Sequence, residues 1–322
     1  MSTSSPSSST YSSPSSSAPP KTDLIVLCCH AIYARGPNSS VLNNPHDESQ
    51  WHLQPFQRGE HETFMQHIAA SFAYITTSTA HERTVLVISG GATRRGEGVG
   101  ISEARSYLHA YCDGQTQTRV GAAGVNVDAE TLLSEGQVLL EEYATDSLQN
   151  LLFSIVRFRR AVGTWPRMIT VVTHAFKAER FLDLHAPAIH WPPDRIRASH
   201  FLRSTLQTLP SKHLPSSSSS IVILVSYPAH PALINNSPSN PGTSLASTLL
   251  AESTNAILPF AANPYASGPI LAGKRVARGW RLVHLGGIVF AGLGDAVWRL
   301  LRWQGPERFG ERLPWEEEGD WA

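Results

Sequence analysis

Polar and charged residues in this chain cluster where apolar runs stop. Ser89-Gly90-Gly91 closes the run 85–88, and Glu103 opens the stretch behind it as Ser102-Glu103-Ala104. Glu141 and Glu142 end a third run, and Asp146-Ser147 with Asn150 opens the segment after it. Thr173-His174 closes the run 168–172, with Lys177 and Arg180 following. These residue types suit an anion site. Glycine has no Cβ, so Gly90 and Gly91 let backbone come close to a ligand. Arg94 and Arg95 add guanidinium forks that match phosphate or carboxylate. A helix that starts at Asp146 presents amide groups to an anion. Lys177 and Arg180, three apart, share a helix face and bring two more cations. Glu103 and either Glu141 or Glu142 are the candidate acid–base groups, or holders of a divalent cation. Glu60 stands at the N-terminal end of a helical stripe marked by Phe64, Ile68 and Phe72, which directs it toward the same edge.

Each residue also has a plainer reading. Asp146 and Gln149 form a capping box. Glu103 complements a helix dipole in its first turn. Glu60 reads slightly better as a solvated first-turn acid, and Lys177 with Arg180 reads equally as a solvated basic face. The loop after Ser89 matches neither GxGxxG nor GxxxxGK[ST], and no GxSxG elbow is present. His61 and His67 lack the spacing of a zinc HExxH helix, so no zinc site of that kind is expected.

The elements that must carry these residues alternate. Strand candidates are 24–29, 85–89, 138–143, 168–173 and 221–226, and the clearest helices are 57–75, 102–111, 147–161 and 176–185. Runs apolar on both faces, interleaved with helices, give an α/β fold: a doubly wound, mainly parallel sheet with helices on both faces. Ligands of such sheets bind outside the carboxyl ends of the strands, where all of the named residues fall. Residues 1–20 form a disordered Ser/Pro-rich tail, 21–230 the α/β domain, and 231–322 a mostly helical extension packed on it. The stretches 215–220 and 235–243 read as loops.

Lys and Arg total 26, as do Asp and Glu, which argues against bulk electrostatic binding of nucleic acid or anionic membrane. Three cysteines without a CxxC pair fit a reduced, cytoplasmic setting. Cys28 and Cys29 are adjacent in a strand and so face opposite sides. No secretory leader is visible. The segment 282–297 is short for a membrane span and carries His284 and Asp295, so it reads as buried or interfacial.

In this order the motifs resemble a family of Rossmann-like domains of unknown function that includes bacterial YdcF, SanA and ElyC, in what looks like a fungal-type branch. The residues that carry the likeness are 24–29, Ser89-Gly90-Gly91, Ser102-Glu103-Ala104, Glu141 or Glu142, Ser147 with Asn150, and Thr173 with Arg180, within residues 23–190. The resemblance implies a site at the sheet edge. It departs at two places: a glycine-rich first turn is replaced by Cys28-Cys29-His30, and the histidine after the fourth strand falls at Lys177. The expected function is binding of a small anionic ligand, nucleotide-like or phosphorylated, with hydrolysis or group transfer as the reaction if the site is catalytic. The rival is a non-catalytic interaction protein with a vestigial crevice. A methyltransferase using S-adenosylmethionine ranks last, because it wants a glycine-rich first turn and an acid closing the second strand.

Overall fold

The computed structural model describes residues 19–35, 43–77, 81–118, 128–197, 200–201, 225–226 and 245–316. The tail 1–18 and the loops 215–220 and 235–243 lie outside the described residues.

The central sheet is parallel, and its strands are β1 (Asp23–Cys28), β2 (Thr84–Ser89), β3 (Val138–Glu141), β4 (Met168–Val172) and β5 (Ile196–Arg197). Their spatial order is β3-β2-β1-β4-β5. In this order the winding reverses between β1 and β4, which makes their carboxyl ends the switch point of the sheet. β1 is central: Leu24 pairs with Val85 on one side and Ile169 on the other.

Strand side chains alternate between two cores. Leu24, Val26 and Cys28 enter one, and Ile25, Leu27 and Cys29 the other. The second core is closed by helix α1 (His61–Thr77) through Phe64, Ile68 and Phe72, by α2 (Glu103–Thr118) and by the short α3 (Ala129–Ser134). The first is closed by α4 (Ser147–Val162), whose Leu148, Leu151, Leu152, Ile155 and Phe158 all face inward. Gly163 ends α4 in the left-handed conformation, φ +87°, which glycine adopts without a Cβ penalty. The result is a three-layer α/β/α sandwich.

Residues 245–316 extend the α4 side. Helical segments Leu258–Ala262, Pro269–Ala277 and Asp295–Arg302 place Phe260, Leu271, Val297 and Leu300 in the same core as α4. Trp315 is fully buried there and donates from Nε1 to the Ile189 carbonyl at 2.8 Å. Truncating such a side chain costs about 3–5 kcal/mol.

Three sequence expectations change. The fifth strand of the sheet is Ile196–Arg197, not 221–226. Residues 221–224 lie outside the described residues, and Val225–Ser226 pairs with His200–Phe201 instead. The helix expected at 176–185 is a short tight turn, Ala175–Lys177, followed by a wide π-helical stretch, Arg180–His185. The segment 282–297 breaks into short turns, with Leu285 and Ile288 buried while Leu282 and Val283 stay exposed. Among the described residues no helix is long and apolar enough to cross a membrane.

Candidate functional site

The parallel sheet brings the strand ends onto one rim, which has two halves. On the first, β2 and β3 finish side by side with Ser89 opposite Glu141. Ser89 Oγ lies 2.6 Å from Glu141 Oε2 and 3.1 Å from Asn150 Oδ1, and all three residues are buried. The Tyr143 and Ala144 amides donate to Glu141 Oε1 at 2.7 and 3.0 Å. Burial pushes the Glu141 carboxyl up to about 7, against hydrogen bonds from Ser89 and the two amides that favour the charged form. A hydroxyl carries one proton. Ionised Glu141 receives it. Protonated Glu141 gives its own proton to Ser89, whose hydroxyl then donates to Asn150. The relay is complete with Glu141 protonated; with Glu141 ionised the single Ser89 proton turns to the carboxylate and Asn150 Oδ1 loses that donor.

Of the two candidate acids ending β3, Glu141 therefore turns inward. Glu142 turns outward to Arg105 Nη2 at 2.7 Å and accepts from Ser102 Oγ, also at 2.7 Å. Glu103 accepts from Thr93 Oγ1 at 2.6 Å, and burial raises its pKa.

The Ser-Gly-Gly turn is tight for a reason internal to the chain. A Cβ on Gly90 would stand 2.8 Å from the Cβ atoms of both Cys29 and Glu103, and one on Gly91 would stand 2.8 Å from the Ala144 carbonyl oxygen. Their amides are also engaged, Gly90 N with Glu141 O at 3.0 Å and Gly91 N with Ala144 O at 2.7 Å. Packing against their own neighbours is thus a second reason for these glycines beside the expected approach to a ligand.

The start of α4 is capped likewise. Asp146 Oδ1 accepts from the Gln149 amide at 2.9 Å, while Gln149 Oε1 accepts from the Thr145 amide at 2.8 Å. From the 269–278 region, Arg275 pairs with Asp146, and Arg278 donates to the Thr145 carbonyl at 2.6 Å. Burial works against the Asp146 charge, but Arg275 more than offsets it and holds the carboxyl below its usual range. Ser147 Oγ sits 2.7 Å from His185 Nε2 and accepts from Arg180 Nη1 at 3.1 Å. The Arg180 Nε and Nη2 groups form a double contact with Glu252. Arg94 binds Glu97 at 2.7 Å, and Arg95 is exposed in the following turn.

The second half of the rim is the switch point. His30 follows β1, Thr173-His174 follows β4, and α1 supplies His67 with Glu60 just before its start. One nitrogen from each of His30, His67 and His174 lies within 4.8 Å of the others. Glu60 Oε2 is 3.7 Å from His174 Nε2. The His30 main chain is fixed from both sides: its amide donates to Tyr107 Oη at 3.1 Å, and its carbonyl accepts from Gln57 Nε2 at 2.8 Å. Its ring meets Thr173 Oγ1 at 3.2 Å through Nε2 and Lys177 Nζ at 3.1 Å through Nδ1. Phe64 and Phe176 wall the cluster against the His174 ring.

His67 and His174 are buried, and neither nitrogen of either ring has a hydrogen-bond partner among the described residues. Burial, aided by the nearby Lys177 charge, lowers His67 to about 3 and holds His30 and His174 well below their ordinary value, so the rings are neutral. Burial also brings Lys177 down to about 8, with Arg180 acting in the same direction. Glu60 is not a solvated acid: burial raises it to about 7, with Lys177 pulling it back.

The named residues thus divide. Ser89, Glu141 and Asn150 meet at one end, and Glu60, Thr173, His174 and Lys177 at the other. Arg180 and Ser147 join beside them, whereas Glu142 and Arg95 point away. Sequence reasoning missed His30 and His67 as partners of His174. The usable signs were a histidine directly after each of two strands that become neighbours, and a third on the buried stripe of α1.

An uncharacterised protein of Saccharomyces cerevisiae, YOR238W, is 29% identical to the chain over 202 residues, which cover 55% of the chain and 66% of the yeast protein. The match therefore spans just under two thirds of that relative's length. No protein-family model and no solved structure matches the chain.

Proposed function

We propose that this chain is a Rossmann-like protein of the YdcF, SanA and ElyC kind that binds a small anionic ligand, phosphorylated or nucleotide-like, between the carboxyl ends of β1 and β4. One observation carries the reading. Lys177 holds a half-buried amine at the switch point, 3.1 Å from His30 Nδ1, and among the described residues it forms no ion pair closer than 4.0 Å. A desolvated cation in the crevice where doubly wound sheets bind their ligands is a natural seat for an anion. If the protein is an enzyme, the Glu141–Ser89–Asn150 relay supplies the acid–base function, and hydrolysis or group transfer on a phosphorylated substrate is the reaction to assay. A cytoplasmic location goes with this reading, since Cys28 and Cys29 are free thiols in the cores.

A non-catalytic interaction protein is the second reading, favoured by the internal pairing of the other cations: Arg94 with Glu97, Arg180 with Glu252 and Arg275 with Asp146. A thermal-shift titration with nucleotides, sugar phosphates and inorganic phosphate separates the two. The expected result is stabilisation by at least one phosphorylated compound and a response weakened about tenfold or more in Lys177→Met. Absence of any shift in the folded protein, or an equal shift in the variant, would overturn the anion site.

A further inference from the structure

We infer that His30, His67 and His174, with Glu60 as a fourth donor, form a binding site for one divalent transition-metal ion of the zinc class at the β1–β4 switch point. Three separate elements bring these side chains together: the turn after β1, the inner face of α1 and the turn after β4. Convergence from so many directions is not a property of one helix or loop.

The second observation is the state of the donors. Among the described residues, other buried polar side chains lack a partner at one atom only, but His67 and His174 lack one at both ring nitrogens. A buried polar atom without a partner costs about 1–3 kcal/mol. These two rings therefore carry a sizeable penalty that no hydrogen bond among the described residues offsets, and a shared cation removes part of it by taking a lone pair from each ring.

The donor chemistry selects the metal. Imidazole nitrogens with one carboxylate suit zinc and its neighbours, whereas magnesium and calcium prefer all-oxygen sets. Tetrahedral zinc with bonds of about 2.0–2.1 Å needs donors about 3.3 Å apart. The three nitrogens lie within 4.8 Å of one another, so an ion requires the rings to rotate inward. Glu60 stands 3.7 Å from His174 Nε2, outside the three-nitrogen group, and reaches a shared ion by turning its carboxylate. Thr173 meets Nε2 and Lys177 meets Nδ1 of the His30 ring, so the nitrogen that takes the metal gives up its present contact and the other keeps one that orients the imidazole. Cys28 and Cys29 belong to the two cores, so the site is one of nitrogen and oxygen, not thiolate.

The inference shares its crevice with the proposed anion site but does not need it, because the probe is metal alone. The full chain, stripped with chelator, is loaded with Zn2+ or Co2+, desalted and analysed for metal content. About one equivalent is expected, with Mg2+ not retained, and a Co2+ absorption spectrum of low-symmetry N/O coordination without a thiolate charge-transfer band. His67→Gln and His174→Gln, checked for folding by circular dichroism, should each weaken Co2+ binding about tenfold or more. If either variant unfolds, the wild-type cobalt spectrum still discriminates. Failure of folded wild-type protein to retain metal, a thiolate band, or folded variants that bind as tightly as wild type would overturn the site.

Discussion

The two halves of the rim are built from the same kinds of element, strand ends and helix starts, yet they handle buried polarity in opposite ways. At the β2–β3 end, Glu141 accepts from Ser89 and two backbone amides, and Ser89 also reaches Asn150. At the β1–β4 end, His67 and His174 are buried with both ring nitrogens unpartnered among the described residues. A satisfied network rigidifies the chain, and its removal is costly. An unsatisfied cluster already carries its penalty. The difference teaches where to look for a ligand: the half that completes itself is scaffold first, and the half that does not has capacity left over.

The largest effect should come from Glu141→Ala. It strands the Tyr143 and Ala144 amides and the Ser89 hydroxyl, so urea unfolding should show a loss of about 3 kcal/mol or more. Glu141→Gln keeps an acceptor and should recover most of it.

Next comes the pH response of that carboxyl. With its pKa raised to about 7, the folded protein holds a proton at Glu141 that the unfolded chain releases above its ordinary 4.5. This contribution to stability is present below that lower value and is lost as pH rises through the folded pKa. Its size is on the order of 3 kcal/mol. His30, His67, His174 and His185, all lowered by burial, act in the opposite sense and favour the fold as pH rises toward 6.5. The Glu141 part is therefore read as the difference between wild type and Glu141→Gln, measured by urea unfolding across that window. A difference that does not change with pH would show that Glu141 is ionised throughout.

The smallest change is expected at the other half. In metal-free protein, His67→Leu removes two unpartnered polar atoms and fills similar space, so it should cost less than about 1 kcal/mol or stabilise the fold. A loss like that of Glu141→Ala would mean the histidine cluster is satisfied after all, and the contrast between the halves would collapse.

Much of the frame was legible. β1, β2 and β4 are continuous apolar runs, and Asp146 with Gln149 marked the start of α4. β5 escaped because a two-residue edge strand after Pro192-Pro193 leaves no periodicity to read. Glu142 and Glu141 could not be told apart, since which of two adjacent acids turns inward depends on where β3 ends. The histidine cluster was hidden for a different reason. Spacing rules find ligands on one helix or one loop. His30 and His174 become neighbours only through the strand order, which sets β4 beside β1.

That strand order also has a consequence for biosynthesis. The β1 edge that receives β4 has no partner until residues 168–172 have left the ribosome. At about 5–20 residues per second, the wait is roughly 7–30 s. Through that interval a bare hydrophobic strand must be shielded from other nascent chains, and its histidine lacks the neighbour from β4. Any ion loaded at the switch point is acquired only after the residues of β4 have been made.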